Sequence, residues 1–208
     1  MTDLVIENLR SERLARTRYL HADESIVLRG GEIIGLTGPS GTGKTLLFRA
    51  IADLDPAVGK FLLDSTSRES MPGHEWRKRV CYLPAESAWW HDTVGEHFET
   101  EPSAEDLRTM GFSADVMIWR IADLSTGERQ RLALLRSLQG SPDVLLLDEP
   151  TASMDQNRTR DAEKLVQSYA SDRQIAVFWI SHDREQLDRI AAKIYGIDAE
   201  GQVAVMNA

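Results

Sequence analysis

A glycine-rich turn between an apolar run and a helical pattern constrains the fold of this chain more than any other feature. Ile33–Thr37 has the composition of a buried strand, and Lys44–Ala52 has the pattern of a helix. Residues 38–45 between them read Gly-Pro-Ser-Gly-Thr-Gly-Lys-Thr and match the pattern G-x-x-x-x-G-K-S/T at every fixed position. Strand, turn and helix therefore occur in the order that a phosphate-binding turn in an α/β fold requires.

The residue types in this turn suit the phosphates of a nucleotide. Glycines allow a tight turn that directs successive N–H groups at a phosphate, and the following helix adds its positive N-terminal end. Lys44 supplies a cation to the β- and γ-phosphates, and Thr45 offers a hydroxyl to Mg²⁺. A structural turn with a chance lysine is the alternative interpretation. The predicted nucleotide-binding residues are Gly38, Pro39, Ser40, Gly41, Thr42, Gly43, Lys44 and Thr45.

Two adjacent acids follow a second apolar run. Val144–Leu147 is typical of a central strand, and Asp148 and Glu149 come directly after it, at the end of the strand where α/β sheets bind ligands. We expect Asp148 to support Mg²⁺ together with Thr45, and Glu149 to act as general base on the attacking water. An acidic pair after a strand is by itself an ordinary cap or loop feature. The glycine-rich turn upstream favours the catalytic interpretation.

Short apolar runs alternate with helical patterns along the rest of the chain, which predicts an α/β fold with a largely parallel sheet. Further predicted strands are Lys60–Asp64, Val80–Leu83, Ile175–Ile180 and Val203–Met206, and further predicted helices are Gln156–Tyr169 and Arg184–Ala192. Residues from about 86 to 123 lack β-branched runs and are interrupted by Pro102 and Gly111. We interpret this region as a small helical subdomain inserted into one domain that spans residues 1–208.

Composition narrows the classes of function. The net charge of −9 counts against a nucleic-acid partner, because affinity for nucleic acid comes largely from neutralising phosphates. Cys81 is the only cysteine, which excludes an intrachain disulfide and fits a reducing, intracellular setting. No apolar stretch approaches the roughly 20 residues of a membrane-spanning helix, and the N-terminus lacks the pattern of a signal peptide.

The segment Leu124–Gln130, with the sequence LSTGERQ, resembles the LSGGQ signature of ATP-binding cassette (ABC) ATPases, with Thr126 in place of the first glycine. Three more segments are similar to motifs of that family in the family's order: Asp148–Pro150 (Walker B end), Ser153–Asp155 (D-loop) and Ser181–Asp183 (H-loop). The resemblance covers residues 30 to 185. A weaker likeness, carried by the compact length and the segments Arg173–His182 and Asp92–Val94, is to the small ATPases of bacterial iron exporters.

The resemblance implies a P-loop NTPase (RecA-like) core with a mostly parallel sheet, an antiparallel β edge and the inserted helical subdomain. It also implies two copies stacked head to tail, in which the second copy contributes Ser125, Thr126, Gly127 and Glu128 to each ATP site. His182 would contact the γ-phosphate and help to position the water, and Asp155 would couple the two sites. A lone histidine at a strand end is otherwise usually structural.

The resemblance further implies ATP and Mg²⁺ as cofactors and a separate transmembrane permease as partner. The chain would then lie in the cytoplasm, peripheral on the cytoplasmic face of the inner membrane. The leading hypothesis is an ATPase that powers a transporter. A soluble nucleotide-dependent clamp or switch is the alternative, and a degenerate cassette that hydrolyses ATP poorly is a third possibility.

Some positions depart from the family pattern. Ala85 stands where the family's Q-loop has a glutamine, and a one-residue shift would make Glu86 a possible Mg²⁺ ligand. The family often stacks an aromatic residue on adenine; the corresponding region here offers Arg13, with Tyr19 the nearest aromatic residue. Trp89 and Trp90 either dock a partner helix or pack the inserted subdomain on the core.

Overall fold

The computed structural model describes residues 3–11, 20–22 and 24–206. Its strands are β1 (Asp3–Ser11), β2 (Leu20–His21), β3 (Ile26–Arg29), β4 (Ile33–Thr37), β5 (Val58–Leu63), β6 (Thr66–Ser67), β7 (Val80–Leu83), β8 (Val144–Asp148), β9 (Ala176–Ile180), β10 (Lys193–Ile197) and β11 (Val203–Val205). Its α-helices are α1 (Lys44–Ile51), α2 (Gly73–Arg79), α3 (Ala104–Thr109), α4 (Thr126–Gln139), α5 (Gln156–Arg173) and α6 (Arg184–Ile190). Arg13 and Tyr19, the candidates for adenine stacking, lie outside the described residues.

A six-stranded sheet forms the centre of the molecule in the order β11-β10-β4-β9-β8-β7. The strands from β10 to β7 pair in parallel, and β11 adds an antiparallel edge. Because parallel strands present their carboxyl ends at one edge, the segments that follow β4, β8 and β9 lie next to one another. These segments are the glycine-rich turn, the acidic pair and the H-loop segment.

Side chains of the central strands alternate between two cores, as expected for a sheet covered on both faces. In β8, Leu145 and Leu147 join the core beneath α4, α5 and α6, whereas Val144 and Leu146 join the core on the α1 side. In β9, Trp179 joins the core beneath α4, α5 and α6, and Phe178 joins the core on the α1 side. The pattern of continuous apolar residues in these strands therefore reflects burial on both faces.

A second, antiparallel sheet covers the α1 side. Strand β1 pairs with β2 and β3 along one edge and with β5 along the other, and β6 extends β5. Helix α2 closes this side through Trp76, which is buried and donates its indole N–H to Ile51 O at 2.8 Å. The predicted antiparallel β structure is confirmed. On the α1 side it forms a separate sheet, because β1 and β3 are strands that the sequence patterns did not predict.

The predicted elements agree with the structure to within a few residues. Helix α5 continues four residues beyond the predicted end at Tyr169, and α6 ends at Ile190, two residues before the predicted end. Residues 86–123 contain one short α-helix, α3, and three 3-10 helices: Gly95–His97, Ala114–Ile118 and Ile121–Asp123. That region is therefore less α-helical than its composition suggests, and its role as a separate subdomain stays a prediction.

Residues 86–123 are anchored by their apolar side chains. Val94, Leu107, Met110 and Val116 are buried in the same core as α4 and α5. Trp89 packs partly against this core, whereas Trp90 is 65% exposed. The guanidinium of Arg136 lies over both indole rings, 4.5 Å from the Trp89 centroid and 5.0 Å from that of Trp90. Packing on the core thus accounts for Trp89 but leaves most of Trp90 in solvent.

Cys81 lies in β7 next to Leu145 of β8. Burial raises the pKa of its thiol to about 11, so the thiol stays protonated and unreactive at neutral pH. Its structural role is therefore that of a small packing residue.

Within residues 3–11, 20–22 and 24–206, no helix has both the length and the apolar character needed to cross a bilayer.

Candidate functional site

The glycine-rich turn connects β4 to α1 as the sequence predicts. Gly38 has φ = 153°, and a Cβ at this position would lie 2.5 Å from the carbonyl oxygen of Ile197. Gly43, which precedes α1, has φ = 106°. Side chains are strained at both positions, so the turn depends on glycine to bring its backbone close to β10 and to start the helix.

Lys44 is folded back over the turn. Its Nζ donates hydrogen bonds to Gly38 O at 2.8 Å and to Pro39 O at 3.1 Å, and only 8% of the residue is exposed. Burial lowers the pKa of Lys44, and the nearby acids Glu149 and Asp148 oppose that shift. The turn thus holds a partly desolvated cation on neutral carbonyl oxygens, in a position that suits an incoming phosphate.

Asp148 is almost fully buried at the end of β8, with 3% of its surface exposed. Its Oδ2 accepts hydrogen bonds from Thr45 Oγ1 at 2.7 Å and from the Tyr82 hydroxyl at 3.1 Å. Burial is the largest cause that raises the pKa of Tyr82, and Asp148 adds to it, so the phenol remains a donor. Sequence reasoning missed Tyr82; its place in a strand next to the Walker B strand was the available signal.

The pair Thr45 and Asp148 fits the predicted Mg²⁺ site. A hydroxyl and a carboxylate 2.7 Å apart are the hard oxygen donors that Mg²⁺ prefers. Within the described part of the chain, no cluster of three or more His, Cys, Asp or Glu residues could hold a metal. A metal bound here would therefore need phosphate oxygens and water to complete its coordination, which is how Mg²⁺ usually binds with nucleotides.

Glu149 and His182 face each other across the ends of β8 and β9. Glu149 Oε1 lies 3.3 Å from His182 Nε2, and this buried oxygen has no hydrogen-bond partner among the described residues. Desolvation raises the pKa of Glu149, while His182 opposes that rise. Glu149 also has φ = 50°, a strained conformation for a residue with a side chain. An unpaired buried carboxylate oxygen at such a strained position is characteristic of a catalytic base.

These residues line one cleft with a volume of about 350 Å³. Among the predicted site residues, the lining includes Ser40, Gly41, Gly43, Lys44, Thr45, Asp148, Glu149 and His182. Gly38 and Pro39 line an adjoining depression that also contacts His182. Thr42 is buried in the turn, where its Oγ1 donates to Pro39 O at 2.9 Å. Three sequence segments that are far apart in the chain thus meet around one space.

The position at which this chain lacks the family's Q-loop glutamine lies at the same cleft. Ala85 contributes to the lining, and its methyl group leaves the cleft without the amide that the family pattern has there. Glu86 is exposed and is not among the residues that line the cleft. The structure therefore does not bring Glu86 together with Thr45 and Asp148, and its role as a metal ligand stays a prediction.

The signature segment forms the N-terminus of α4. Ser125 is the N-cap residue: its Oγ accepts the backbone N–H of Glu128 at 3.3 Å, and the Glu128 carboxylate accepts the N–H of Ser125 at 2.8 Å. This capping box explains why a serine and a glutamate occur three residues apart here. Ser125 and Thr126 are exposed, and neither they nor Gly127 or Glu128 line the cleft of their own chain.

Gly127 is the point where the signature segment meets the D-loop segment. A Cβ at Gly127 would lie 2.7 Å from Ser153 O, a backbone atom that cannot move aside alone. Two residues later Asp155 caps α5, where its carboxylate accepts the N–H groups of Asn157 at 2.9 Å and Arg158 at 3.0 Å. The bond from Arg158 N–H is the largest cause of the lowered pKa of Asp155. Signature and D-loop thus pack together as one surface.

We therefore expect Gly127→Ala to disturb this surface and to lower ATPase activity about 10-fold or more, because the D-loop backbone must shift. Gly140→Ala, at the C-cap of the same helix, is the matched control: a Cβ there meets nothing within 4 Å, so its activity should equal that of wild type. Steady-state phosphate release checks both variants, with circular dichroism to confirm folding. Full activity of Gly127→Ala would contradict the role of this contact.

Comparison with known proteins agrees with the geometry. The family model described as "ABC transporter" matches residues 22–152. The probable iron export ATP-binding protein FetA of Escherichia coli (strain K12) is 30% identical over 200 residues, which cover 88% of this chain and 89% of FetA. The molybdenum import ATP-binding protein ModC of Albidiferax ferrireducens is 32% identical over 194 residues, covering 85% of this chain and 52% of ModC. The chain thus spans most of FetA and about half of ModC.

Solved structures have the same fold. A dimeric ATP-binding cassette bound to ADP and Pi in a post-hydrolysis state superposes with a TM-score of 0.80 at 18% identity, covering 99% of each chain. A bacterial Atm1-family ABC exporter with ATP bound gives a TM-score of 0.82 at 22% identity and covers 97% of this chain and 38% of the exporter. The match to the family model and the 30% identity with FetA show that the chain belongs to the ABC transporter family, as an ATP-binding cassette ATPase with the fold of these solved structures.

Proposed function

We propose that two copies of this chain bind head to tail and hydrolyse Mg·ATP at two equivalent composite sites. Each site would combine the cleft of one copy with the signature segment of the other. The observation that carries this proposal is the separation of the two parts: Ser125 and Thr126 are exposed and Gly127 and Glu128 half-buried at the N-terminus of a 14-residue helix, and none of the four lines the cleft of its own chain. A helix N-terminus attracts phosphate, so a second copy supplies the missing side of the site.

Each cleft residue has its own role in the proposed reaction. Lys44 exchanges its two carbonyl contacts for the β- and γ-phosphates, and Thr45 and Asp148 would hold Mg²⁺, which neutralises phosphate charge when bound. Glu149 accepts the proton of the attacking water on its unpaired Oε1, and its raised pKa makes it a stronger base. His182 faces that oxygen and holds the water on the phosphate side.

We propose further that hydrolysis powers a membrane transporter through a separate permease. The support is the similarity to ATP-binding proteins named for iron export and molybdenum import. The chain would then lie on the cytoplasmic face of the membrane, bound to that permease. Among the residues that the structure describes, no feature favours the soluble clamp or switch, so it is not proposed.

Mixing two inactive variants tests the composite site. Lys44→Met disables the phosphate side, and Ser125→Asp keeps a good N-cap but places a negative charge against the γ-phosphate. Each variant alone should be inactive, and the mixture should regain activity, because one site of each heterodimer combines two intact halves. Mixing Lys44→Met with Glu149→Gln is the control; both defects lie on the same side, so activity should stay absent. No recovery in the first mixture would contradict the head-to-tail arrangement.

A further inference from the structure

A buried amide connects the two loops that carry Glu149 and His182. Gln186, in α6, is 2% exposed, and its Nε2 donates hydrogen bonds to Thr151 Oγ1 at 3.0 Å and to Glu163 Oε1 at 2.9 Å. Thr151 and Glu163 are also buried, with 8% and 3% of their surfaces exposed. Three polar side chains from three segments therefore meet in the interior, where each unsatisfied polar group would be costly.

The position of this network in the chain relates it to catalysis. Thr151 follows Glu149 by two residues, on the loop that leaves β8. Gln186 lies in the first turn of α6, four residues after His182, and its own N–H donates to the capping carboxylate of Asp183 at 3.1 Å. The side chain of Gln186 is thus bonded to the loop that carries Glu149, and its helix, α6, begins directly after the turn that carries His182.

The amide can adopt only one orientation in this network. Arg189 binds the Glu163 carboxylate with two hydrogen bonds, from Nε at 3.0 Å and from Nη2 at 2.7 Å. A carboxylate paired with a guanidinium is ionised and accepts hydrogen bonds only. A flipped Gln186 would place its carbonyl oxygen against Glu163, so Nε2 must point at both Glu163 and Thr151. These directional hydrogen bonds therefore fix the position of the Thr151 side chain more closely than packing alone would.

We propose that Gln186 and Thr151 act as positioning residues for hydrolysis, holding the Glu149 loop at its working distance from His182. Glu149 has a strained backbone at φ = 50° and lies 3.3 Å from His182 Nε2, yet that contact is not a hydrogen bond. The two side chains are not joined by a hydrogen bond, and the backbone link between the two segments, from Glu149 N–H to Ile180 O at 3.2 Å, lies at the very start of the Glu149 loop. The rigid link from α5 and α6 supplies the constraint, and displacements of about 1 Å at such a site can reduce rates about 100-fold.

This inference rests on the proposed ATP hydrolysis and is tested with Thr151→Val, which keeps the shape of the side chain and removes its hydroxyl. We expect kcat for Mg·ATP to fall about 10-fold while KM changes less than about twofold, because the phosphate-binding residues are untouched. Thr151→Ser retains the hydroxyl and should restore kcat to near the wild-type value. A rise in KM without a fall in kcat, or a serine variant as slow as the valine variant, would overturn the assignment.

Two further variants separate positioning from general stability. Gln186→Leu should lower kcat at least as much as Thr151→Val, because it removes the hydrogen bonds to both Thr151 and Glu163, and the double variant should be no slower than Gln186→Leu alone. Ser137→Ala removes a different buried hydrogen bond, from Ser137 Oγ to Leu134 O at 2.7 Å in α4, and should leave kcat unchanged. Equal loss in Ser137→Ala, or additive losses in the double variant, would show a merely structural role.

A crystal structure of nucleotide-free Thr151→Val provides a readout that needs no turnover. The distance between Glu149 Oε1 and His182 Nε2 should increase from 3.3 Å, or the Glu149 loop should occupy more than one conformation. An unchanged distance with a single conformation would overturn the inference. Absence of ATPase activity in the wild type would instead count against the proposed function, and the crystal structure would still decide the inference.

Discussion

Replacing Glu149 by glutamine is expected to lower kcat for ATP hydrolysis by about 100-fold or more, in the range of a lost general base. Glutamine keeps the size and polarity of the side chain but cannot accept a proton from the attacking water. ATP should still bind, because Lys44 and the glycine-rich turn remain intact. Phosphate release in a single turnover, measured on protein preloaded with ATP, separates the chemical step from binding.

Glu105→Gln is the matched control for this experiment, since it makes the same chemical change at an exposed residue of α3. Its kcat should equal that of wild type. If Glu149→Gln turned over at a similar rate, the base would have to be sought elsewhere in the cleft, and the unpaired Oε1 would have no catalytic meaning.

Lys44→Met is expected to weaken ATP binding by about 10- to 100-fold, the equivalent of one charge-assisted hydrogen bond or somewhat more. Methionine retains the apolar stem and removes the ammonium group. Without nucleotide, the unfolding midpoint should change little: the carbonyls of Gly38 and Pro39 lose a donor, but the cost of burying a cation is also removed. Isothermal titration with ATP and thermal unfolding, with and without nucleotide, measure both effects.

Lys164→Met, at an exposed position of α5, controls for the loss of a lysine and should bind ATP normally. An undiminished affinity in Lys44→Met would contradict the assignment of the turn as the phosphate site. A large loss of stability without nucleotide would instead show that the two carbonyl contacts hold the turn together.

The sequence was sufficient for the catalytic cleft because each contributor is a short local pattern at the end of a strand. The glycine-rich turn, the acidic pair and His182 all follow strands of the parallel sheet, and the topology alone brings them to one edge. Burial of β4, β8 and β9 on both faces gives continuous apolar runs, so these strands were also predicted nearly to the residue.

Contacts that depend on register between distant elements were not accessible in this way. Tyr82 reaches Asp148 across 66 positions of sequence, and Gln186 reaches Thr151 across 35. No local pattern distinguishes these residues from other polar side chains in the sequence. The antiparallel sheet was underestimated for a similar reason, since the long pairing of β1 with β3 and β5 is a tertiary property.

Residues 86–123 illustrate a different limit of prediction from sequence. Its Ala-, Glu- and Leu-containing pieces predicted helices, but tertiary packing of Val94, Leu107 and Val116 leaves mostly 3-10 turns and a six-residue α3. Short segments lack the length to form stable helices independently of packing. Ala85, in contrast, was identified as a departure from the family pattern and does line the cleft.

The mass of Glu149→Gln in solution, with and without Mg·ATP, tests the composite ATP site most directly. Size-exclusion chromatography with light scattering should give the 23.3 kDa of one chain without nucleotide and twice that mass with Mg·ATP, because ATP that is bound but not cleaved holds the two copies together. Equilibrium dialysis should find one ATP per chain. A mass of 23.3 kDa in saturating Mg·ATP, with ATP bound, would contradict the head-to-tail dimer.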